Sequence, residues 1–396
     1  MVTRTTMTRT TSAVSAQSAD LSAACHTPFS LSDLLQAYYD CRKHKRNTNT
    51  ALAFEINLER NIVQLRDDLL NGSYAPGQSI CFVVTRPKAR EVWAADFRDR
   101  IVHHLLYNHI SERFQKSFIA DSCACIPGRG TLYAGKRLES KIRSITQDWS
   151  VPAFYLKCDL ANFFVSIDKN ALLAQLKEKI HEPWWLKLAT QVLMHDPRTN
   201  YVLHSSPSLV RLVPPHKQLT NQAVHLGLPI GNLSSQFFAN IYLNGLDQFA
   251  KHTLKVPHYI RYVDDFILLH ESPKQLGIWL SEINEFLPSL GARLNPKKTI
   301  IQPIDRGVDF VGHVIKPFRR TTRKKTVNQA IKRIETIDHS KLWETANSYF
   351  GLLGQASHSR EDRANLARAV LLRGQPVNMD LTKTYKPRKV QCSSKI

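Results

Sequence analysis

Apolar residues recur at helical spacing through residues 31–72, first at Leu34, Leu35 and Tyr38, then at Phe54, Leu58, Ile62, Leu65 and Leu69. The basic run Cys41-Arg42-Lys43-His44-Lys45-Arg46 separates the two sets, so the pattern predicts two helices joined by a basic loop. A turn is expected at 72–77, and the Cys-, Phe- and Val-rich stretch 79–85 reads as a buried strand. Residues 92–114 look helical. A short apolar run at 152–158 ends in Asp159, and a helix is expected after Asp168 through Leu172, Leu176 and Ile180. Helical spacing returns at 233–249 behind a glycine-bearing entry. Two β-prone runs, 258–262 and 266–270, then flank Asp264-Asp265 as a hairpin, and 275–287 reads as a helix. This order of strand, helix, helix, hairpin, helix and strand implies an α+β domain, with helices against one face of a small antiparallel sheet.

No acidic residue lies between Phe310 and Ile334, where Lys316, Arg319, Arg320, Arg323, Lys324, Lys325, Lys332 and Arg333 fall. That density marks a boundary. Beyond it Leu342, Ala346, Tyr349, Leu352 and Leu353 follow a helical period, which predicts a small helical unit with Tyr349 and Phe350 in its core. Residues 1–27 lack periodicity and are expected to be disordered, and the basic end from Lys383 is expected to be loose.

Composition sharpens the picture. The 396 residues carry 54 Lys and Arg against 33 Asp and Glu, a net charge of +21 that exceeds what solubility needs and points to a polyanion, nucleic acid first. No apolar run approaches the ~20 residues that span a bilayer, so no membrane partner is expected. Seven cysteines, an odd number, do not suggest a disulfide framework, and a reducing cytoplasm fits best. Cys123 and Cys125, with no second pair to match, read as buried small side chains rather than zinc ligands. Arg4 and Arg9 are not followed by an apolar core, which speaks against a secretory signal.

The candidate chemistry lies in Tyr262-Val263-Asp264-Asp265, two carboxylates at a hairpin tip. Alone, an Asp-Asp pair is ordinary turn chemistry, and Asp159 alone could be a helix cap. Together the three are natural oxygen ligands for a two-metal phosphoryl-transfer site, provided their strands are neighbours.

Further blocks surround them. Arg86-Pro87-Lys88-Ala89-Arg90-Glu91-Val92 precedes Asp96-Phe97-Arg98-Asp99-Arg100-Ile101-Val102-His103-His104, and Lys157-Cys158-Asp159-Leu160-Ala161-Asn162-Phe163-Phe164 comes next. Gly227-Leu228-Pro229-Ile230-Gly231-Asn232-Leu233-Ser234-Ser235-Gln236, the Tyr262–Asp265 box, Leu294-Asn295-Pro296-Lys297-Lys298-Thr299 and Phe310-Val311-Gly312-His313-Val314-Ile315 complete the series. In this order across residues 75–315 the chain resembles the reverse transcriptases. The 230–236 block, Cys41 to Asn47, Ser122-Cys123-Ala124-Cys125 and Gly128-Arg129-Gly130-Thr131 resemble the bacterial diversity-generating retroelement type. Related reverse transcriptases of antiphage-defence systems share much of the pattern.

The resemblance implies a right-hand polymerase: an N-terminal tail (1–27), N-terminal helices and fingers (28–150), palm (151–315), basic helical thumb (316–380) and basic tail (381–396). It implies RNA-directed DNA synthesis with two Mg²⁺ ions, Mn²⁺ serving as a substitute, held by Asp159, Asp264, Asp265 and the backbone carbonyl of Leu160. Lys298 would protonate the departing pyrophosphate. Lys88 and Arg90 would pair with the triphosphate, Phe164 would gate against a 2′-hydroxyl, and Gly231, Gln236 and Tyr262 would contact substrate. Implied partners are an RNA template, a DNA product, dNTPs, a dedicated non-coding or template RNA and an accessory protein. Two other readings stay open: a defence enzyme with untemplated or protein-primed synthesis, and a non-catalytic RNA-binding subunit.

Overall fold

The computed structural model describes residues 27–43, 48–86 and 88–386; the expected N-terminal tail up to residue 26 lies outside them. The N-terminal pattern forms three helices rather than two: α1 (Leu31–Arg42), α2 (Asn49–Glu55) and α3 (Leu58–Asn71). Helix α1 opens on a reciprocal cap, the Ser30 hydroxyl accepting from Asp33 N and the Asp33 carboxylate accepting from Ser30 N, and it absorbs the start of the basic run through Arg42. His44, Lys45 and Arg46 lie outside the described residues.

Strand β1 (Ser79–Val84) pairs antiparallel with β2 (Arg90–Ala94), Phe82 facing Val92. This corrects the expected helix over 92–114, because Val92-Trp93-Ala94 is claimed by the sheet. Helix α4 (Phe97–Gln115) begins only after Asp96, whose carboxylate caps Arg98 N at 2.9 Å. Helix α5 (Thr131–Ile145) follows.

The central sheet starts with β3 (Phe154–Asp159), after which come α6 (Phe163–Ser166), α7 (Lys169–Lys177) and α8 (Pro183–Met194). Strand β4 (Tyr201–Leu203), which the sequence pattern did not predict, joins β1 in parallel as an edge of the first sheet. Helices α9 (Pro207–Val210) and α10 (Leu233–Gln248) precede the hairpin β5 (His258–Tyr262) and β6 (Asp265–His270), then α11 (Pro273–Phe286) and β7 (Ile300–Pro303). The sheet order is β5-β6-β3-β7, antiparallel throughout.

Successive side chains of a strand enter opposite faces. Leu156, Cys158, Phe266 and Leu268 enter a core shared with α4, α7, α8, α10 and α11, while Tyr155, Ile267 and Leu269 enter a second core with α5 and Phe310. Both faces are therefore covered, which corrects the expectation of helices on one face and explains why β3 and β6 are apolar without alternation.

A third sheet contains β8 (Val308–Phe310), β9 (His313–Lys316) and β10 (Arg319–Thr322). Helices α12 (Lys324–Thr336), α13 (Leu342–Leu353) and α14 (Arg360–Leu372) then close a separate core around Ala330, Ile334, Leu342, Phe350, Leu366 and Val370. Arg320 ties this unit to α5 through Glu139, and Thr131 Oγ1 donates to Gln355 Oε1 at 3.0 Å. The end expected to be loose is packed as far as Thr384, whose N–H donates to Asn347 Oδ1 at 3.0 Å. Among the described residues no helix is long and apolar enough to cross a membrane.

Candidate active site

Strand register brings the carboxylates together. Asp159, the last residue of β3, faces Asp265, the first of β6, and Asp265 also faces Tyr262 across the hairpin. Val263 and Asp264 form the turn, with Val263 at φ 55°, a conformation β-branched residues rarely adopt. Leu160 N donates to Asp264 O at 3.2 Å, and Leu160 bridges to Leu294, which draws the 294–298 block against the end of β3. There Asn295 N donates to Asp159 O at 2.8 Å, Asn295 Nδ2 to Asp159 Oδ1 at 3.2 Å, and Lys298 Nζ to Asp159 Oδ2 at 2.5 Å.

The electrostatics are those of a crowded acidic site. Burial and then the neighbouring Asp159 push the Asp264 carboxyl above the ordinary range, while Lys298 and Arg90 pull it back. Asp265 is pushed up to about 6, mainly by burial, with Asp264 and Asp159 adding to the shift and Lys157 opposing it. Hard oxygen donors with excess negative charge fit a divalent cation. Among the described residues, however, no three His, Cys, Asp or Glu side chains already stand as a closed ligand set, and Asp159 is engaged by Lys298 and Asn295.

The other sequence candidates are distributed around this centre. Arg90 opens β2 on an exposed position opposite Val84, close enough for its charge to reach Asp264, and Lys88 is exposed in the β1–β2 connection. Phe164 is half-buried in α6, its ring 5.5 Å from that of Phe163, and its carbonyl accepts from Leu228 N at 2.8 Å. Gln236 is exposed in the first turn of α10 and its Oε1 accepts from Cys125 Sγ at 3.5 Å. Cys125 is exposed while Cys123 is buried, which corrects the expectation that both are interior. Tyr262 is half-buried against the second core.

Gly231 serves an internal contact. It has φ 130°, and a Cβ there would stand 2.8 Å from Val92 Cγ1 and 2.9 Å from Trp93 O. Trp93 N donates to Ile230 O at 2.7 Å, and Ala95 N to Asn232 Oδ1 at 3.1 Å, so the glycine lets the 227–236 block lie flat on β2. Gly231→Ala is expected to destabilise the fold by roughly 2–4 kcal/mol, because it adds backbone strain to a collision with main chain. A urea unfolding midpoint unchanged from wild type would refute this.

Sequence reasoning missed Arg261, Asp247, Asn240 and Ser122, which are buried directly behind the turn. The available signal was an arginine inside an otherwise apolar strand and an aspartate on the buried face of α10.

Residues 86–315, which contain all three aspartates, match the family model described as reverse transcriptase (RNA-dependent DNA polymerase). The chain belongs to the reverse transcriptase family. Among solved structures this reverse transcriptase is similar to telomerase from Candida albicans in complex with a TWJ fragment of telomeric RNA. That match has 15% identity and a TM-score of 0.44, covering 75% of this chain and 54% of that one. Apo telomerase from Candida tropicalis, truncated from the C-terminal domain, matches at 12% identity and TM-score 0.44, covering 66% of this chain and 59% of that one. The reverse transcriptase thus spans little more than half the length of those chains. No curated protein matches it.

Proposed function

We propose that the chain is an RNA-directed DNA polymerase whose active centre is built on Asp159, Asp264 and Asp265. The observation that carries this reading is the register of β3 with β6, which sets Asp159 opposite Asp265 at one end of the central sheet. Two Mg²⁺ ions, or Mn²⁺ in their place, would activate the primer 3′-hydroxyl and neutralise charge on the reacting phosphate; the three aspartates and the Leu160 carbonyl would hold them. Lys298, already on Asp159, carries a proton suited to a departing pyrophosphate. Arg90 and Lys88 present cations to a triphosphate from the β2 side, where a guanidinium fork suits phosphate oxygens. By the same resemblance Tyr262 would lie beside the primer terminus, and Gln236, exposed on the first turn of α10, would offer its amide to nucleotide or template.

In this reading residues 28–150 hold the N-terminal helices and fingers, 151–315 the palm and 316–380 a thumb whose basic face tracks a phosphate backbone with salt-dependent affinity. The template is a dedicated structured RNA, the product is DNA, and dNTPs are the substrates; an accessory protein would complete the assembly. The 230–236 block resembles the diversity-generating retroelement type, and because antiphage-defence reverse transcriptases share much of the pattern, a retroelement role and a defence role both follow from it. Extension of a DNA primer on RNA by the purified chain tests the activity. Equal product made without added template would overturn the copying reading, and salt-sensitive RNA binding with no incorporation would favour a non-catalytic subunit. Phe164→Ala is expected to admit ribonucleotides more readily, by about tenfold or more if the ring excludes a 2′-hydroxyl. Unchanged discrimination between dNTP and NTP would remove the gate.

A further inference from the structure

We propose that Arg261 is a positioning residue that holds the Tyr262–Asp265 turn in its catalytic shape by fixing Val263 in a left-handed conformation. The inference rests on the polymerase reading above and adds a mechanism for the geometry of its aspartates. Arg261 is fully buried, and each of the five N–H donors of its guanidinium has an acceptor within reach. Nε donates to Asp247 Oδ1 at 2.7 Å, and Nη2 to Asp247 Oδ2 at 2.6 Å and Ser122 Oγ at 3.0 Å. Nη1 donates to Asn240 Oδ1 at 3.2 Å and to the Val263 carbonyl at 3.1 Å.

The last contact is the decisive one. Val263 sits at φ 55°, where its branched side chain is strained, and its carbonyl belongs to the peptide that leads into Asp264. The guanidinium reaches that carbonyl while itself anchored to α10 through Asp247 and Asn240 and to the 121–124 segment through Ser122. The main chain of Arg261 is equally fixed, its N–H donating to Asp121 O and its carbonyl accepting from Cys123 N, both at 2.9 Å. The Ser122-Cys123-Ala124-Cys125 stretch thus acts as a brace for β5, reinforced by Asn240 Nδ2 donating to Ala124 O at 2.6 Å. A lysine cannot reproduce this, because one ammonium cannot span Asp247, Asn240 and the Val263 carbonyl at once. A buried ion pair is weak evidence for stability alone, whereas this one ends on the strained peptide of the turn.

The test uses the full-length chain as wild type, Arg261→Lys, Val263→Gly and the double variant. Hydrogen exchange of the peptide covering 261–265 and steady-state primer extension are both measured. Arg261→Lys is expected to speed exchange at the turn and to lower kcat by about thirty- to a hundredfold while KM for the nucleotide stays within about threefold. Glycine takes a positive φ without strain, so Arg261→Lys should cost several-fold less kcat when position 263 is glycine than when it is valine. Unchanged exchange at the turn, or an equal loss in the valine and glycine backgrounds, overturns the proposal. Should Arg261→Lys fail to fold, Arg261→Met combined with Asp247→Leu, which removes the guanidinium from the Val263 carbonyl without leaving an unpaired buried charge, carries the same cycle with Val263→Gly and the same two overturning results. The exchange measurement does not depend on polymerisation: a wild type that makes no DNA defeats the polymerase reading, while exchange still decides whether Arg261 holds the turn.

Discussion

Replacing Asp264 and Asp265 together by alanine is expected to reduce RNA-templated primer extension by more than roughly a thousandfold, the scale on which removal of transition-state charge stabilisation is felt. The same variant should fold at least as well as wild type in chelator. Both carboxyls lie where burial and a neighbouring acid resist ionisation, so alanine removes a like-charge conflict rather than a stabilising contact. Loss of activity with a melting temperature equal to or above wild type would separate a chemical role from a structural one. Extension at the wild-type rate by the double variant would end the assignment of these residues as ligands.

A second large effect is expected at Asp247. The Asp247–Arg261 pair is fully buried, with N–O distances of 2.6 and 2.7 Å, and Tyr259 Oη donates to the same carboxylate at 2.8 Å. Asp247→Ala leaves an arginine deep in the core without its counter-charge, an arrangement that costs about 3–5 kcal/mol. Urea unfolding should show that loss directly; a change below ~1 kcal/mol would mean that water or another group reaches Arg261. Combining Asp247→Leu with Arg261→Met should restore part of the stability, since an apolar pair of similar volume avoids the desolvation of both charges. It should not restore polymerisation, because nothing then reaches the Val263 carbonyl.

Helical spacing makes α10 and the C-terminal helices readable in the sequence, whereas the hairpin and the strand ending at Asp159 are readable as short apolar runs bounded by acids, without alternation. Strand β2 was misread because Val92-Trp93-Ala94 is too short to show a period, and only pairing with Phe82 and Ile80 and docking of Ile230 decide its state. The second covered face of the central sheet was hidden for a related reason: an apolar strand without alternation does not say what lies on its far side. Arg261 and Asp247 are separated by 14 positions and by a hairpin approach, so neither residue announces the other. Gly231 reads from the sequence as a substrate contact, and nothing in the sequence says that its backbone also lies against Trp93 of the same chain.

Strand β3 lies inside the central sheet, and both of its neighbours, β6 and β7, come later in the chain. Asp159 pairs with Asp265, and the opposite edge of β3 closes only on Ile300–Pro303. During synthesis, therefore, the chain must be made as far as Pro303 before the acidic centre has its full frame. Until then β3 presents two open edges, which a neighbouring emerging chain could pair with, and Asp159 has no partner strand to bring it to the other two carboxylates.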